Sequence, residues 1–513
     1  MAMLTHPSRR QQDVDRDFVE RYLGEPHRTR VANLLRNRER ALVIRQALLK
    51  FTKYALLFCE SRGVPGTDDD DRQAAFAYLC VLTGLGPQSD LSDDDLKLDG
   101  GPGPLGRELI ANQIFNSTRD LRGIWATFER CWRELPRELA DNPRMLDLPS
   151  EYESATGVAL DDLVAVCGAL WASAGNGTST IAPDYFDSLG WSEHRLHQVL
   201  SLISADRATL QGALSSPAEQ EGLEWSTRTF EQYPVVRWPS GHLTVMNSDL
   251  VVGRASGKWP LFDILRCLES SGNRKLTGAV RTAVALSFET WVLEGFDSIV
   301  AHSPERFYSE ERLKAAYPST KVADAAVDYG DTWIVIEVTT AGIQAATASG
   351  ISDDAVLTDI NDCIKKARQL DATINNLRNK EERLTGTAAP VRRRFRPILV
   401  IADRFATGPI FTNLLWDRLK DTGVLQGDDV APLEVMEIED VHMIEGLVEQ
   451  TGQALTDLLT GKEGSSLHAM SMREYLLLDR RVNPRPPQRV MTRWSLWADT
   501  AIQHLRRADD GSA

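Results

Sequence analysis

Residues Lys321–Thr340, KVADAAVDYGDTWIVIEVTT, decide how the chain is read. Segments 321–328 and 332–339 are rich in Val, Ile, Ala and Thr, side chains that suit a pleated strand. Gly330-Asp331 between them is a two-residue hairpin signal. With that turn, Asp324 falls directly across from Glu337. Side chains alternate along a strand, so Asp324, Asp328, Trp333, Glu337 and Thr339 share one face. The other face carries Ala323, Ala325, Val327, Ile334, Ile336 and Val338, and is expected against a core. Two carboxylates side by side repel unless a cation lies between them, and a divalent metal is the simplest such cation.

Composition sets the frame for that hairpin. At 513 residues the chain can bury two or more cores, and 42% hydrophobic with 26% charged residues describes an ordinary globular protein. The six cysteines (Cys59, Cys80, Cys131, Cys167, Cys267, Cys363) form no CxxC pair and no zinc-spaced cluster. Buried free thiols in a reducing cytoplasm are the expectation. The N-terminus lacks the apolar core of a signal peptide, and no run of 18 apolar residues occurs, so a cytoplasmic protein outside the membrane is expected. A net charge of −15 argues against a surface that grips nucleic acid everywhere, while leaving room for a local basic groove.

Upstream of the hairpin the pattern is helical. Apolar residues recur at helical spacing over 12–60, 72–85, 105–135 and 158–172. The acidic run Thr67–Asp71 reads as a solvated helix start, and Gly100–Pro104 as a loop that lacks the Gly-Lys-Ser/Thr of a phosphate-binding loop. His194 and His197 read as a surface pair rather than metal ligands. Segments 228–237 and 242–251, separated by the turn Trp238–Gly241, read as short strands. A domain boundary is expected at Ser270–Asn273. The organisation expected is a mostly α-helical N-terminal domain (1–222), a small β-rich connector (223–272), an α/β domain (273–450) and a helical tail (451–513).

Within the third segment, a helix is expected over 276–297 and the hairpin follows. A long helix over 353–380 then carries Val356, Ile360, Cys363, Ala367, Leu370, Ile374 and Leu377 on one face, before a strand at Pro397–Ala402. Asp, a turn, and an aliphatic strand ending in Glu-x-Thr resemble the signature of the PD-(D/E)XK nuclease superfamily. Ala323-Asp324 stands where that signature has Pro-Asp, and Glu337-Val338-Thr339 where it has (D/E)-x-Lys. Thr339 replaces the signature lysine. The resemblance covers residues 276–402. It implies a restriction-endonuclease-like α/β core, a central mixed sheet flanked by helices, preceded here by the helical domain.

The resemblance also implies roles. Asp324 and Glu337 would hold Mg²⁺ or Mn²⁺ through hard carboxylate oxygens, with Glu289 of the preceding helix in support. The metal would polarise a phosphodiester and activate a water. Thr339 cannot supply the charge of the missing lysine. Lys366 with Gln369, in KKARQL, borders the apolar stripe of the long helix and is the expected substitute; Lys321 is expected to face the wrong way. Arg392, Arg393, Arg394 and Arg396 are the densest basic cluster and the candidate nucleic-acid contact, against the alternative that they bind the protein's own carboxylates. The leading expectation is a metal-dependent DNA endonuclease, DNA being favoured over RNA. The helical domain would carry a protein partner, and a homodimer would cut both strands. This architecture resembles components of bacterial anti-phage defence or restriction systems. The alternative is a catalytically decayed nuclease fold acting as a nucleic-acid-binding or scaffold subunit.

Overall fold

The computed structural model describes residues 11–37, 40–59, 68–84, 101–117, 120–222, 224–301, 306–387, 393–402 and 405–506. Thr67, Gly100 and Arg392 lie outside these residues. The protein is mixed α/β and divides into two compact units. One comprises Lys97–Glu151 and Ile264–Ala498; the other comprises Met1–Leu96, Tyr152–Asp263 and Asp499–Ala513. Segment 97–151, expected in the helical N-terminal domain, therefore belongs with the sheet that holds the hairpin.

That sheet has five strands, β1 (Arg306–Ser309), β2 (Ala325–Asp328), β3 (Thr332–Thr339), β4 (Arg394–Ile401) and β5 (Glu434–Glu437), neighbouring in that order. The pairs β1/β2 and β2/β3 are antiparallel, while β3/β4 and β4/β5 are parallel. The β2–β3 turn forms at Gly330-Asp331. Gly330 takes φ +86°, a region that favours glycine, and Tyr329 N–H donates to the Thr332 carbonyl at 2.9 Å. Ala325 pairs with Ile336 and Asp328 with Trp333, the register expected from that turn.

The helices that matter are α1 (Arg274–Val300), α2 (Glu310–Ala316), α3 (Asp353–Lys380), α4 (Pro409–Asp421), α5 (Ile438–Thr451) and α6 (Leu455–Glu463). The stripe Val356, Ile360, Cys363, Ala367, Leu370, Ile374 and Leu377 of α3 is buried against Trp333, Val335, Phe395 and Leu399, as its spacing predicts. Helix α1 packs along α5 and touches β3, and none of its residues joins the α3 cluster. Strand β3 is thus the middle of the sheet and buried along its whole length up to Thr339. The sequence reading had placed only the Ile334, Ile336 and Val338 face in a core. Parallel pairing with β4 corrects that: a strand with neighbours on both edges and helices above and below buries both faces.

The expected domain boundary at Ser270–Asn273 is a tight turn between two helices, Trp259–Ser270 and α1, inside this same unit. The Asn273 side chain accepts from Leu276 N–H at 3.2 Å and starts α1. Strand β1 runs directly into α2, with no loop between Ser309 and Glu310.

The other unit is largely helical, with a four-stranded sheet of two- and three-residue strands. Among its described residues the connector read as β-rich contains only strands Val235–Arg237 and Leu243–Val245, while Arg228–Gln232 and Ser248–Ser256 are helical. Asn247 accepts from Asp249 and Leu250 N–H, and this cap turns the second β-like run into a helix. The acidic run does start a helix, Asp68–Thr83. His194 and His197 are exposed. All six cysteines are free; Cys131, Cys167 and Cys363 are buried as expected, whereas Cys59 and Cys80 are exposed.

Candidate active site

Three elements converge on Glu337. It lies near the end of β3, fully buried, on the side that faces α3. Lys366, on α3, reaches it: Nζ donates to Glu337 Oε1 at 2.8 Å. A third of the Lys366 side chain is exposed, against 1% for Glu337, so the ammonium stands between solvent and a sealed carboxylate. Glu337 Oε2 has no hydrogen-bond partner among the described residues. Burial, and then the Asp324 charge, push the Glu337 carboxyl up to about 8 despite Lys366.

Asp324 lies one residue before β2, where the β2–β3 ladder has run out. Its Oδ2 accepts the Val338 backbone N–H at 2.7 Å, replacing the strand partner that N–H lacks. The approach to Asp324 is fixed from α3, because Ala323 N–H donates to Thr373 Oγ1 at 2.7 Å. Asp324 is 7% exposed, and burial raises its pKa although the Val338 bond and Lys366 pull the other way. Glu289 on α1 is pushed up to about 7, chiefly by burial and then by the Asp324 and Glu310 charges. The Asp324 charge therefore acts on both Glu337 and Glu289.

Gln369 is buried one turn after Lys366, but its side chain bonds to neither Glu337 nor Asp324 among the described residues. Thr339 Oγ1 accepts from Ala341 N–H at 3.1 Å and serves the chain turn after β3. Lys321 was expected to face away, yet the strand begins only at Ala325, so strict alternation does not extend back to it. Its charge acts on Glu337. Lys365, the neighbour of Lys366, is an exposed partner of Asp362.

The arginine cluster is used inside the protein. Arg393 bonds Asp328 at 3.1 Å and Glu381 at 2.6 Å, and Trp333 Nε1 donates to the same Glu381 oxygen. Arg394 pairs with Glu463, and Arg396 with Glu463 and Thr460. In the described part of the cluster the self-binding alternative is what the geometry displays. Only Arg394 keeps about half of its side chain exposed.

Sequence reasoning missed α2. Glu310 and Lys314, paired at 2.6 Å, both act on Asp324 and Glu289, and Arg144 acts on Glu289. An acid and a lysine four residues apart carry no signal beyond an ordinary helix pair, so only the fold brings them in.

The donor set suits a hard divalent cation. Magnesium takes one or two carboxylates and completes its shell with water and phosphate. Asp324 and Glu337 supply two carboxylates, one with an orphan oxygen among the described residues, and both are raised chiefly by burial, so an added cation would favour their charged forms. Among the described residues no group of three His, Cys, Asp or Glu side chains is arranged to hold a metal ion. Comparison with protein-family models, with curated proteins and with solved structures gives no match to this chain. No helix among the described residues is long and apolar enough to cross a membrane by itself.

Proposed function

We propose that this chain is a metal-dependent nuclease that hydrolyses phosphodiester bonds of DNA, with Asp324 and Glu337 as metal ligands and Lys366 as the catalytic cation. The observation that carries this reading is the 2.8 Å contact between Lys366 Nζ and Glu337 Oε1. It puts an ammonium, delivered from α3, beside the carboxylate pair that Thr339 leaves without its expected lysine. The element order also supports it: α1, β1, the short helix α2, the antiparallel β2–β3 hairpin, α3, then the parallel strand β4. Apart from β1 and α2, this order resembles the helix, hairpin, helix and strand of the restriction-endonuclease-like core. When bound, the metal would polarise the phosphodiester and lower the pKa of an attacking water. Lys366 would neutralise charge that develops on the phosphate, and Glu289 would add negative charge near the metal. A role in anti-phage defence or restriction, with the helical unit engaging a protein partner, rests on architecture alone.

One observation favours a second reading. Glu337 is fully buried and already neutralised in part by Lys366, which would suit a decayed nuclease fold that binds nucleic acid or scaffolds a complex. Cleavage of labelled DNA by the full chain in Mg²⁺ or Mn²⁺ separates the two. Under the nuclease reading, Asp324→Ala, Glu337→Ala and Lys366→Ala each lower the rate by about 100-fold or more, and adding Thr339→Lys to Lys366→Ala restores part of it. Cleavage that survives both carboxylate changes ends the metal-site assignment. A folded wild type that binds DNA without cutting it moves the function to the second reading.

A further inference from the structure

A cavity of about 100 Å³ opens beside the starts of β4 and β5, lined by Arg396, Trp416, Glu434, Lys462 and His468 among others. Arg396 pairs across to Ile334, three positions before Glu337 on β3, so the cavity lies about 10 Å along the strands from the carboxylate pair. It is a separate place in the same unit.

Its walls combine two features. The first is a buried acceptor beside a buried donor. Lys462, 3% exposed, donates to Glu434 Oε2 and to the His468 carbonyl, both at 2.9 Å. Glu434 Oε1 is buried with no hydrogen-bond partner among the described residues, a costly state for a carboxylate oxygen in a folded protein. Burial pushes this carboxyl up to about 7, and Lys462 offsets that only in part. The second feature is a flat aromatic wall. Trp416 is fixed by its Nε1–H to the Leu433 carbonyl at 3.0 Å. The exposed His468 ring lies nearly parallel to the indole, with centroids 5.9 Å apart and planes 12° apart. A planar heterocycle in that position would stack on the indole in the same way.

We propose that this cavity binds a nucleobase, stacked on Trp416, whose ring N–H donates to Glu434 Oε1 and whose adjacent carbonyl accepts from Lys462 or Arg396. A neighbouring N–H donor and carbonyl acceptor is the edge of a keto base, guanine or uracil. Adenine and cytosine present an amino donor beside a ring-nitrogen acceptor instead. Stacking on an aromatic side chain tolerates any base, so the polar pair sets the preference. Arg394, half exposed, pairs with Glu463 of the cavity wall and is the cation we assign to a phosphate attached to that base. The same chemistry is offered by a free nucleotide or by an unpaired base of a strand, and neither source requires that the carboxylate pair be catalytic.

Calorimetric titration of guanosine, uridine, adenosine and cytidine into the full chain tests this. The keto nucleosides are expected to bind at least tenfold more tightly than the amino ones. Glu434→Gln should weaken guanosine by about tenfold or more. His468→Ala, an exposed change, should tighten it by freeing the indole face. Parallel titrations of guanosine monophosphate and a short single strand containing one guanine identify the source: tighter strand binding assigns nucleic acid, tighter monophosphate binding a free nucleotide. Absence of binding to both wild type and His468→Ala at millimolar nucleoside overturns the proposal. Equal affinity for all four bases overturns it too, and that result needs no variant to fold. If adenosine is discriminated against while cleavage is absent, this cavity stands and the nuclease reading falls.

Discussion

Glu289, Asp324 and Glu337 hold their protons more tightly in the folded protein than free carboxyls do, and burial is the first cause in each. The sign of the consequence is fixed by linkage. Between pH 4.5, where an unfolded glutamate loses its proton, and pH 7 to 8, where Glu289 and Glu337 do so in the fold, the native state binds more protons. Stability therefore falls as pH rises through that window, and below it these groups cost nothing. Glu289 is the group on which to measure this, because its side chain is only partly buried and, among the described residues, makes no ion pair with a lysine such as Lys366 makes with Glu337. Glu289→Gln is expected to raise stability at pH 8 by about 1–2 kcal/mol, a midpoint shift of about 2–4 °C, with the difference vanishing near pH 4.5. Thermal melts of both proteins at the two pH values provide the check. An equal gain at both would mean that charge is not the cause. The same residue then tests function, since a stabilised variant with reduced metal-dependent cleavage shows a carboxylate kept for chemistry at a cost in stability.

Arg393 shows how an element can hold a basic residue for its own assembly. It stands just before β4 and ties Asp328 at the end of β2 to Glu381 at the end of α3, with all three side chains 6–15% exposed. Removing one member of a buried pair strands the other charges, which costs more than the pair itself contributes. Arg393→Ala is expected to destabilise this unit by about 2–4 kcal/mol in chemical denaturation and to leave DNA affinity unchanged once the protein is folded. A loss of affinity without loss of stability would return Arg393 to the nucleic-acid surface. This residue also marks what could be read in advance. The Gly330-Asp331 turn, the β2–β3 register and the α3 stripe depend on local spacing, and the sequence carries them plainly. Lys366 was reachable because its place on the stripe's border follows from the same spacing. Burial of both faces of β3 was not legible, since it depends on which strand pairs with the other edge. Pairing of Arg393, Arg394 and Arg396 with acids was hidden for a similar reason: Glu463 lies 69 residues from Arg394. The runs over 228–251 failed in the opposite direction, where a helix cap at Asn247 outweighed β-like composition.

At the scale of the whole molecule, 73 acidic against 58 basic residues leave a net charge of −15, which repels a polyanion at long range. Three of the four arginines in the densest basic run are paired internally, so they add little to a phosphate-binding surface. Under the proposed nuclease function, affinity for DNA at the carboxylate pair is expected from a few nearby cations, Lys366, Lys314 and Lys321, and from a divalent ion between protein and phosphate. Two consequences follow for binding by the full chain. The dependence on monovalent salt should be shallow, with a log–log slope of about −2 to −3, because few phosphates are neutralised. The dependence on divalent ion should be steep. Fluorescence anisotropy of labelled DNA in calcium, used as a hard cation with the same oxygen preference, is expected to give at least tenfold tighter binding than in chelator. That gain should disappear in Glu337→Ala, whose affinity in chelator should equal or exceed that of wild type because a negative charge has gone. If calcium gives the same gain in Glu337→Ala, the ion acts by screening the acidic surface and the carboxylate pair is not its site. If affinity instead depends steeply on monovalent salt and ignores calcium, the contact lies on a basic surface elsewhere, and the carboxylate pair is a structural feature of the sheet.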